Sequence, residues 1–253
     1  MSESKRVAII TGSSSGIGAA TALELSRRGW CVVINYSKSA DKAKKIASQC
    51  ADSICVQADV SKDADCRRLA KSALDKWGRI DALVNNAGTT RFVAHADLDG
   101  LSAEDFLDVY ATNVVSSFQM ARACAPALKA SGRGAIVNVS SLASQWGTGS
   151  SIAYAASKGA LNAMTYSLAR VLGPEVRVNA VLPGYVETTW HPEGYGAERA
   201  AENAKRYAAG NVLKATCTAE DVADSIVWLI EGAPKTTGET IFVDGGSHIG
   251  AVR

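Results

Sequence analysis

The feature that most constrains this chain is a rhythm. Seven short runs of β-branched and apolar residues alternate with longer stretches rich in Ala, Leu, Lys and Glu. The runs span residues 7–10, 31–34, 53–56, 82–84, 135–139, 176–181 and 240–243. A strand that reads as near-continuous apolar sequence is covered on both faces. Such strands alternating with helices predict an α/β fold, a doubly wound seven-stranded parallel sheet with helices on both faces. No Pro/Gly/Ser-rich linker divides the 253 residues, so residues 1–253 read as a single domain.

Composition narrows the classes further. Hydrophobic residues make up 47% and charged residues 21%, which excludes a disordered chain, a coiled coil and a collagen-like fibre. Basic and acidic residues number 27 and 25, a net charge of +2, so no nucleic-acid or anionic-membrane partner is expected. No apolar run is long enough to span a membrane. Residues 1–6 are polar and lack the apolar core of a signal peptide. The six cysteines show no CxxC spacing and read as buried, inert thiols of a reduced cytoplasmic protein, with no metal site.

The first run feeds Thr11-Gly-Ser-Ser-Ser-Gly-Ile-Gly18, and a helix is expected over residues 19–28 with Gly29 at its left-handed end. Strand, glycine turn and helix are the context of a dinucleotide site. Gly12 can make the tight turn, Gly16 can let backbone approach a diphosphate, and Gly18 can let helix and sheet pack closely. N–H groups at the helix start would face the phosphates. The spacing is GxxxGxG rather than GxGxxG, and alone it also fits a plain strand-to-helix bend. Asp59-Val60 and Asn85-Asn-Ala-Gly88 follow the third and fourth runs, at the sheet edge where ligands of such folds bind. Each also fits a simple turn.

Tyr154-Ala-Ala-Ser-Lys158 lies in a helix expected over residues 152–172. Residues four apart share a helix face, so phenol and ammonium can approach. A nearby cation favours phenolate and lowers a tyrosine pKa from about 10. Such a phenol can give a proton to a carbonyl oxygen or take one from an alcohol. Ser141, just beyond the fifth run, would hold its hydroxyl at the same edge. Asn113 interrupts a helix expected over residues 106–130, either as a surface amide or as a holder of water near Lys158. Residues 183–210 break the rhythm, with two of five prolines, Trp190 and three of seven tyrosines. This connection is expected to form a substrate lid at about residues 185–212, or else a plain surface helix pair.

Taken together, these residues resemble the short-chain dehydrogenase/reductase family in its compact single-domain form. The resemblance rests on Thr11-Gly-x-x-x-Gly-Ile-Gly18, Asp59, Asn85-Asn-Ala-Gly88, Asn113, Ser141, Tyr154, Lys158, Pro183-Gly184 with Thr188, and Asp244-Gly-Gly246. It covers essentially the whole chain. It implies a Rossmann-like sheet, a homotetramer or homodimer, and an oxidoreductase interconverting a ketone or aldehyde with a secondary alcohol. It implies Tyr154 as acid/base, Ser141 orienting the substrate oxygen, and Lys158 lowering the tyrosine pKa and holding the nicotinamide ribose. Asn113 would complete a water-linked proton relay. The cofactor would meet Gly12, Ser14, Ser15, Gly16, Ile17 and Gly18 at the turn, with Asp59 and Val60 at the adenine. Asn86, Ala87 and Gly88 would line the adenosine ribose side, and Pro183, Gly184, Val186 and Thr188 the carboxamide or diphosphate.

An acid about twenty residues beyond the glycine turn selects NAD. That position is Tyr36, followed by Ser37 and Lys38, so NADP(H) is the expected cofactor and NAD(H) the alternative. By analogy of position, Ala143, Gln145, Trp146, Gly147, Tyr185, Trp190 and His191 are candidates for the substrate pocket. Trp146 and Trp190 would supply a stacking wall, and Gln145 and His191 hydrogen bonds, with His191 also reading as a lid-surface residue. The expected substrate is a small ketone, sugar or polyol. One alternative is a 3-oxoacyl group on acyl carrier protein, for which Arg133 is a candidate docking cation and Pro174-Glu175 looks unsuitable. Another is a non-catalytic dinucleotide sensor, against which the intact Ser141, Tyr154 and Lys158 set argues.

Overall fold

The computed structural model describes residues 5–250; the remainder of the polar lead-in, residues 1–4, and residues 251–253 lie outside the described residues. The first half of the chain alternates strand and helix: β1 (Val7–Ile10), α1 (Gly16–Arg27), β2 (Cys31–Tyr36), α2 (Ala40–Ala47), β3 (Ser53–Gln57), α3 (Asp63–Trp77) and β4 (Ala82–Asn85). Then come α4 (Ala103–Tyr110), a π-helical turn (Ala111–Val115), α5 (Ser116–Ala130), β5 (Gly134–Val139), α6 (Ala143–Trp146) and α7 (Ile152–Leu172). The chain closes with β6 (Val176–Pro183), α8 (Trp190–Tyr195), α9 (Ala197–Gly210), α10 (Ala219–Glu231) and β7 (Thr240–Val243).

The seven strands form one parallel sheet in the order β3-β2-β1-β4-β5-β6-β7. Alternate residues of each strand point to opposite faces. Val7, Ile9, Val33, Leu83, Ile136 and Val178 pack against α3, α5 and α7, through side chains such as Leu69, Cys124 and Leu168. Ala8, Ile10, Ile34, Val84, Val137 and Val181 pack against α1 and α10, through Leu25, Val222 and Ile226. Burying such a side chain fully contributes about 1.5–3 kcal/mol. The strand order reverses between β1 and β4, and ligands settle in the crevice opened there.

The seven expected strands and the helix over residues 152–172 stand, and Gly29 takes its left-handed φ of 85°. Two boundaries move. α1 starts at Gly16, because the last residues of the glycine turn already belong to the helix. The single helix expected over residues 106–130 is split into α4 and α5 by the π-turn that carries Asn113. One extra residue in a helical turn re-aims side chains, and such turns gather at functional sites. The excursion after β6 folds as the helix pair α8 and α9. Its two ends meet: Val186 and Cys217 pair in a parallel bridge, with Glu187 N–H donating to the Cys217 carbonyl at 2.9 Å and Cys217 N–H to the Tyr185 carbonyl at 2.9 Å.

Candidate active site

The glycine turn is shaped by what a side chain would strike. Gly12 has φ of 63°, and a Cβ there would lie 3.0 Å from Ala87 Cα. At Gly18 a Cβ would lie 2.5 Å from Asn86 Nδ2 and 2.8 Å from the Gly12 carbonyl, so helix and sheet touch through hydrogen alone. Side chains from neighbouring strands brace the turn. Asn86 Nδ2 donates to the Thr11 carbonyl at 2.9 Å, and Thr11 Oγ1 accepts from the N–H groups of Asn86 and Ala87 at 2.9 and 3.0 Å. Asn35 is buried at the end of β2. Its Oδ1 accepts from Gly12 N–H at 2.9 Å, and its Nδ2 donates to the Ala58 carbonyl at 3.1 Å. No side chain caps α1, and its first turn holds no carboxylate, so its N–H groups remain free to meet an anion. These features fit a dinucleotide diphosphate: a main-chain cradle that Cβ atoms would fill, at a helix start open to negative charge.

Ser151 caps α7 by accepting from Tyr154 N–H at 3.2 Å, which fixes the phenol in the first helical turn. One turn on, Lys158 is buried, its Nζ donating to the Val139 carbonyl at 2.8 Å and lying 5.6 Å from the Tyr154 ring centre. Burial moves the two groups in opposite directions. It pushes the Tyr154 phenol up to about 12, with a hydrogen bond to Ser141 pulling it partly back, and it draws Lys158 down to about 8. The expected lowering of the tyrosine by lysine is therefore not seen in this protein alone, where burial is the largest influence on the phenol. Ser141 Oγ accepts from Ala143 N–H at 3.2 Å. Asn113 is buried rather than a surface amide: its Nδ2 donates to Ser157 Oγ at 2.9 Å and its Oδ1 accepts from Thr89 N–H at 2.8 Å.

These elements surround one cavity of about 880 Å³, within the range of cofactor and ligand sites. Its walls include Gly12, Ser14, Ser15, Gly16, Ile17, Ser37, Lys38, Asp59, Val60, Asn86, Ala87 and Gly88 at one end. Ser141, Ala143, Tyr154, Lys158, Pro183, Gly184, Tyr185, Val186, Thr188, Trp190 and His191 line the other. Asp59 closes a turn, accepting from Ser61 Oγ at 2.7 Å, and the Ser61 hydroxyl is the main reason its carboxyl sits below the usual range. The Trp190 ring lies 6.1 Å from that of Tyr154 and 6.3 Å from that of Phe92, which in turn meets Tyr195 edge-on at 4.7 Å. His191 is half-buried on the cavity wall and stacks on Tyr185 at 3.9 Å, and burial lowers its imidazole to about 4.

Several expected residues lie elsewhere. Tyr36 packs against the core under α1 and does not reach the cavity. Gln145, Trp146 and Gly147 are not on the wall, and Trp146 is 47% exposed. In the single turn of α6, Ala143 faces the cavity and Ser144 turns toward α7, while Gln145 and Trp146 are exposed. Gly18 and Asn113 act from behind the wall, one by close packing and the other by holding Thr89. Arg133 precedes β5 and Pro174-Glu175 precede β6, at the opposite edge of the sheet. That is about 17 Å of strand away from the cavity, so neither bears on docking at its mouth. The sequence reading missed Asn35, Ser39, Thr89, Thr148, Gly149, Glu193 and Tyr207, which also line the cavity. Only Asn35, at the end of a strand beside the switch point, carried a signal in its position.

All six cysteines are free. Among the described residues no helix is long and apolar enough to cross a membrane, and no cluster of metal-binding side chains is found.

Comparison with known proteins agrees with this geometry. The family described as enoyl-(acyl carrier protein) reductase matches residues 12–248. A Streptomyces violaceoruber protein that carries the name of a ketoacyl reductase of a granaticin polyketide synthase is 43% identical, over 96% of each chain. Glucose 1-dehydrogenase 2 of Bacillus subtilis is 34% identical over 95% of this chain and 94% of its own. A crystal structure from Burkholderia xenovorans, described as a short-chain dehydrogenase/reductase, superposes with a TM-score of 0.90 at 41% identity, over 98% of this chain and 99% of that one. Relatives of this kind are oxidoreductases, which favours an enzyme over a dinucleotide sensor. With a parallel seven-stranded sheet, a glycine turn at its switch point and Ser141, Tyr154 and Lys158 on one cavity, the chain belongs to the short-chain dehydrogenase/reductase family of oxidoreductases.

Proposed function

We propose that the protein reduces a ketone to a secondary alcohol with NADPH. The observation that carries this reading is the convergence of Ser141, Tyr154 and Lys158 on the cavity that the glycine turn also lines. Bound NADPH would supply the hydride for the carbonyl carbon. The rest falls to this chain. Because burial keeps Tyr154 protonated at neutral pH, its Oη is set to give a proton to the carbonyl oxygen. With its oxygen accepting from Ala143 N–H, the Ser141 hydroxyl keeps its own proton for the substrate oxygen or the phenol. Lys158 spends one N–H on the Val139 carbonyl and has others for a ribose hydroxyl. Asn113 holds Thr89 and Ser157 in place behind the lysine, and a proton relay through water there would refill Tyr154.

The preference for NADPH rests on Lys38, which lines the cavity with Ser14, Ser15, Ser37 and Ser39 and with no carboxylate at the position of Tyr36. Trp190 on the cavity wall, with Phe92 packed against it, suits a ketone with a flat or apolar body better than a sugar or polyol. A 3-oxoacyl thioester is the second reading, supported by the ketoacyl reductase name of the 43% identical relative. Residues 1–253 are read as one domain, with residues 185–212 as a substrate lid because Trp190 lies against Tyr154. A homotetramer or homodimer follows from the family resemblance, and a reduced cytoplasmic setting suits the free thiols.

The test is NADPH consumption over a panel of ketones, diketones, sugars and 3-oxoacyl thioesters, with Tyr154→Phe in parallel. Turnover on a ketone or thioester should fall about a thousandfold in the variant. Equal turnover in both proteins overturns the role of Tyr154, and preference for a sugar overturns the substrate class.

A further inference from the structure

Asn162 continues the face of α7 that carries Tyr154 and Lys158, at the same four-residue interval. Its side chain is buried and reaches the turn after β5. Asn162 Nδ2 donates to Ser144 Oγ at 2.8 Å, and Ser144 Oγ donates to the Ser141 carbonyl at 2.6 Å. The same carbonyl accepts from Ser144 N–H at 3.0 Å. α7 comes close to this turn at Gly159, where a Cβ would lie 3.7 Å from the Ser144 carbonyl.

The direction of this chain is fixed by its donors. A hydroxyl has one proton, and Ser144 gives it to Ser141, so the partner behind it has to be a donor. Asn162 meets that need with its amide nitrogen and leaves its Oδ1 buried without a hydrogen bond. An unsatisfied buried oxygen is unfavourable, and an apolar residue would fill the same space without it. The amide is therefore in place for its donor, at the point where that donor reaches the turn of Ser141.

We propose that Asn162 and Ser144 are positioning residues that lock the Ser141 hydroxyl against Tyr154, an inference that rests on the roles given to Ser141 and Tyr154 above. Lys158 anchors the end of β5 through the Val139 carbonyl, and Ser140 Oγ donates back to the Lys158 carbonyl at 3.2 Å. The Asn162–Ser144 chain adds a hold one turn further along, on the far side of Ser141. The helix that carries the acid thus also sets the group that orients the acid.

The readout is the titration of Tyr154, followed by its ¹³Cζ resonance in the complex with NADP⁺, whose positive ring favours phenolate and brings the transition into reach. Tyr154→Phe assigns the signal. Ser144→Ala and Asn162→Leu should each raise the proton affinity of Tyr154 about threefold to tenfold, because the Ser141 hydrogen bond that favours phenolate is loosened. The double variant should shift it no further, and Ser144→Thr should titrate as the parent does. NADP⁺ affinity should stay within about twofold throughout, which reports an intact fold and excludes a general loss of structure. A shift in Ser141→Ala with none in Ser144→Ala and Asn162→Leu overturns the brace and leaves the proposed function standing. No shift even in Ser141→Ala removes the Ser141–Tyr154 contact itself, and the brace with it.

Discussion

The two ends of the cavity are built from different material. The dinucleotide end is made of main chain: Gly12, Gly16 and Gly18 at the start of α1, braced by Asn35, Thr11 and Asn86 over a few residues of three adjacent strands. The end proposed for the substrate is made of rings: Trp190 and His191 from α8 and Tyr185 from just after β6, with Phe92 packed against Trp190 and Tyr195 against Phe92. The first arrangement tolerates almost no change of side chain and demands one ligand shape. The second is side-chain packing, in which one ring can replace another. On the proposed reading, specificity is set at the end where side-chain packing, rather than main chain, gives the cavity its shape.

The largest expected effect lies where the two ends meet, at Lys158. Its pKa is lowered from the usual 10.5 to about 8, so between those values the folded protein holds the neutral amine and the unfolded chain the ammonium. The unfolded state then binds more protons, and stability rises with pH across that window by about 3 kcal/mol. Buried Cys31 and Cys217, both raised to about 11, pull the other way above pH 9, as does Tyr154 from 10.0 to about 12. Denaturant unfolding of the cofactor-free parent and of Lys158→Met isolates the lysine, because the rise should be lost in the variant and so remain in the difference between the two curves. A parallel pair of curves would place the lysine in water.

Gly18→Ala breaks the dinucleotide end, since its Cβ would meet Asn86 Nδ2 at 2.5 Å and the Gly12 carbonyl at 2.8 Å. A loss of about 1–3 kcal/mol is expected on unfolding, together with weaker NADPH binding by fluorescence titration. Trp190→Ala addresses the substrate end alone, raising the KM for substrate about tenfold while leaving NADPH binding unchanged. Its control is Trp146→Ala, which should change neither, because Trp146 points to solvent. The smallest effect is expected of the exposed Lys38: Lys38→Ala should weaken NADPH about fivefold and leave NADH untouched. Equal weakening of both would separate Lys38 from the 2′-phosphate.

What the sequence disclosed follows the same division. The glycine turn, Asp59, Tyr154 and Lys158 are short-range patterns, and each lines the cavity. The strands were readable because apolar runs covered on both faces leave an unbroken signature. Position by analogy failed at Gln145 and Trp146, where one turn of helix decides which residue faces in. It failed at Tyr36 because the strand packs that ring into the core. Phe92 and Tyr195 gave no signal, because they meet only after segments about a hundred residues apart come together. The burial that raises Tyr154 and lowers Lys158 is likewise a property of the assembled walls and has no trace in the spacing of the pair.

The bridge between Val186 and Cys217 has a consequence for how such a chain can be altered. Residues 187–216 leave the sheet and return to it side by side, and the return is held by Leu213 N–H donating to the Gly245 carbonyl at 3.0 Å and Tyr207 Oη donating to the Asp244 carbonyl at 2.7 Å. Closing a loop of different length costs only about 0.6 kcal/mol per doubling. The excursion is thus a cassette on a fixed neck, and a foreign helix pair ending on the same two residues would arrive over the same phenol. If these residues are the substrate lid proposed above, new substrates would be reached by exchange of a part, with the reacting groups left where they are.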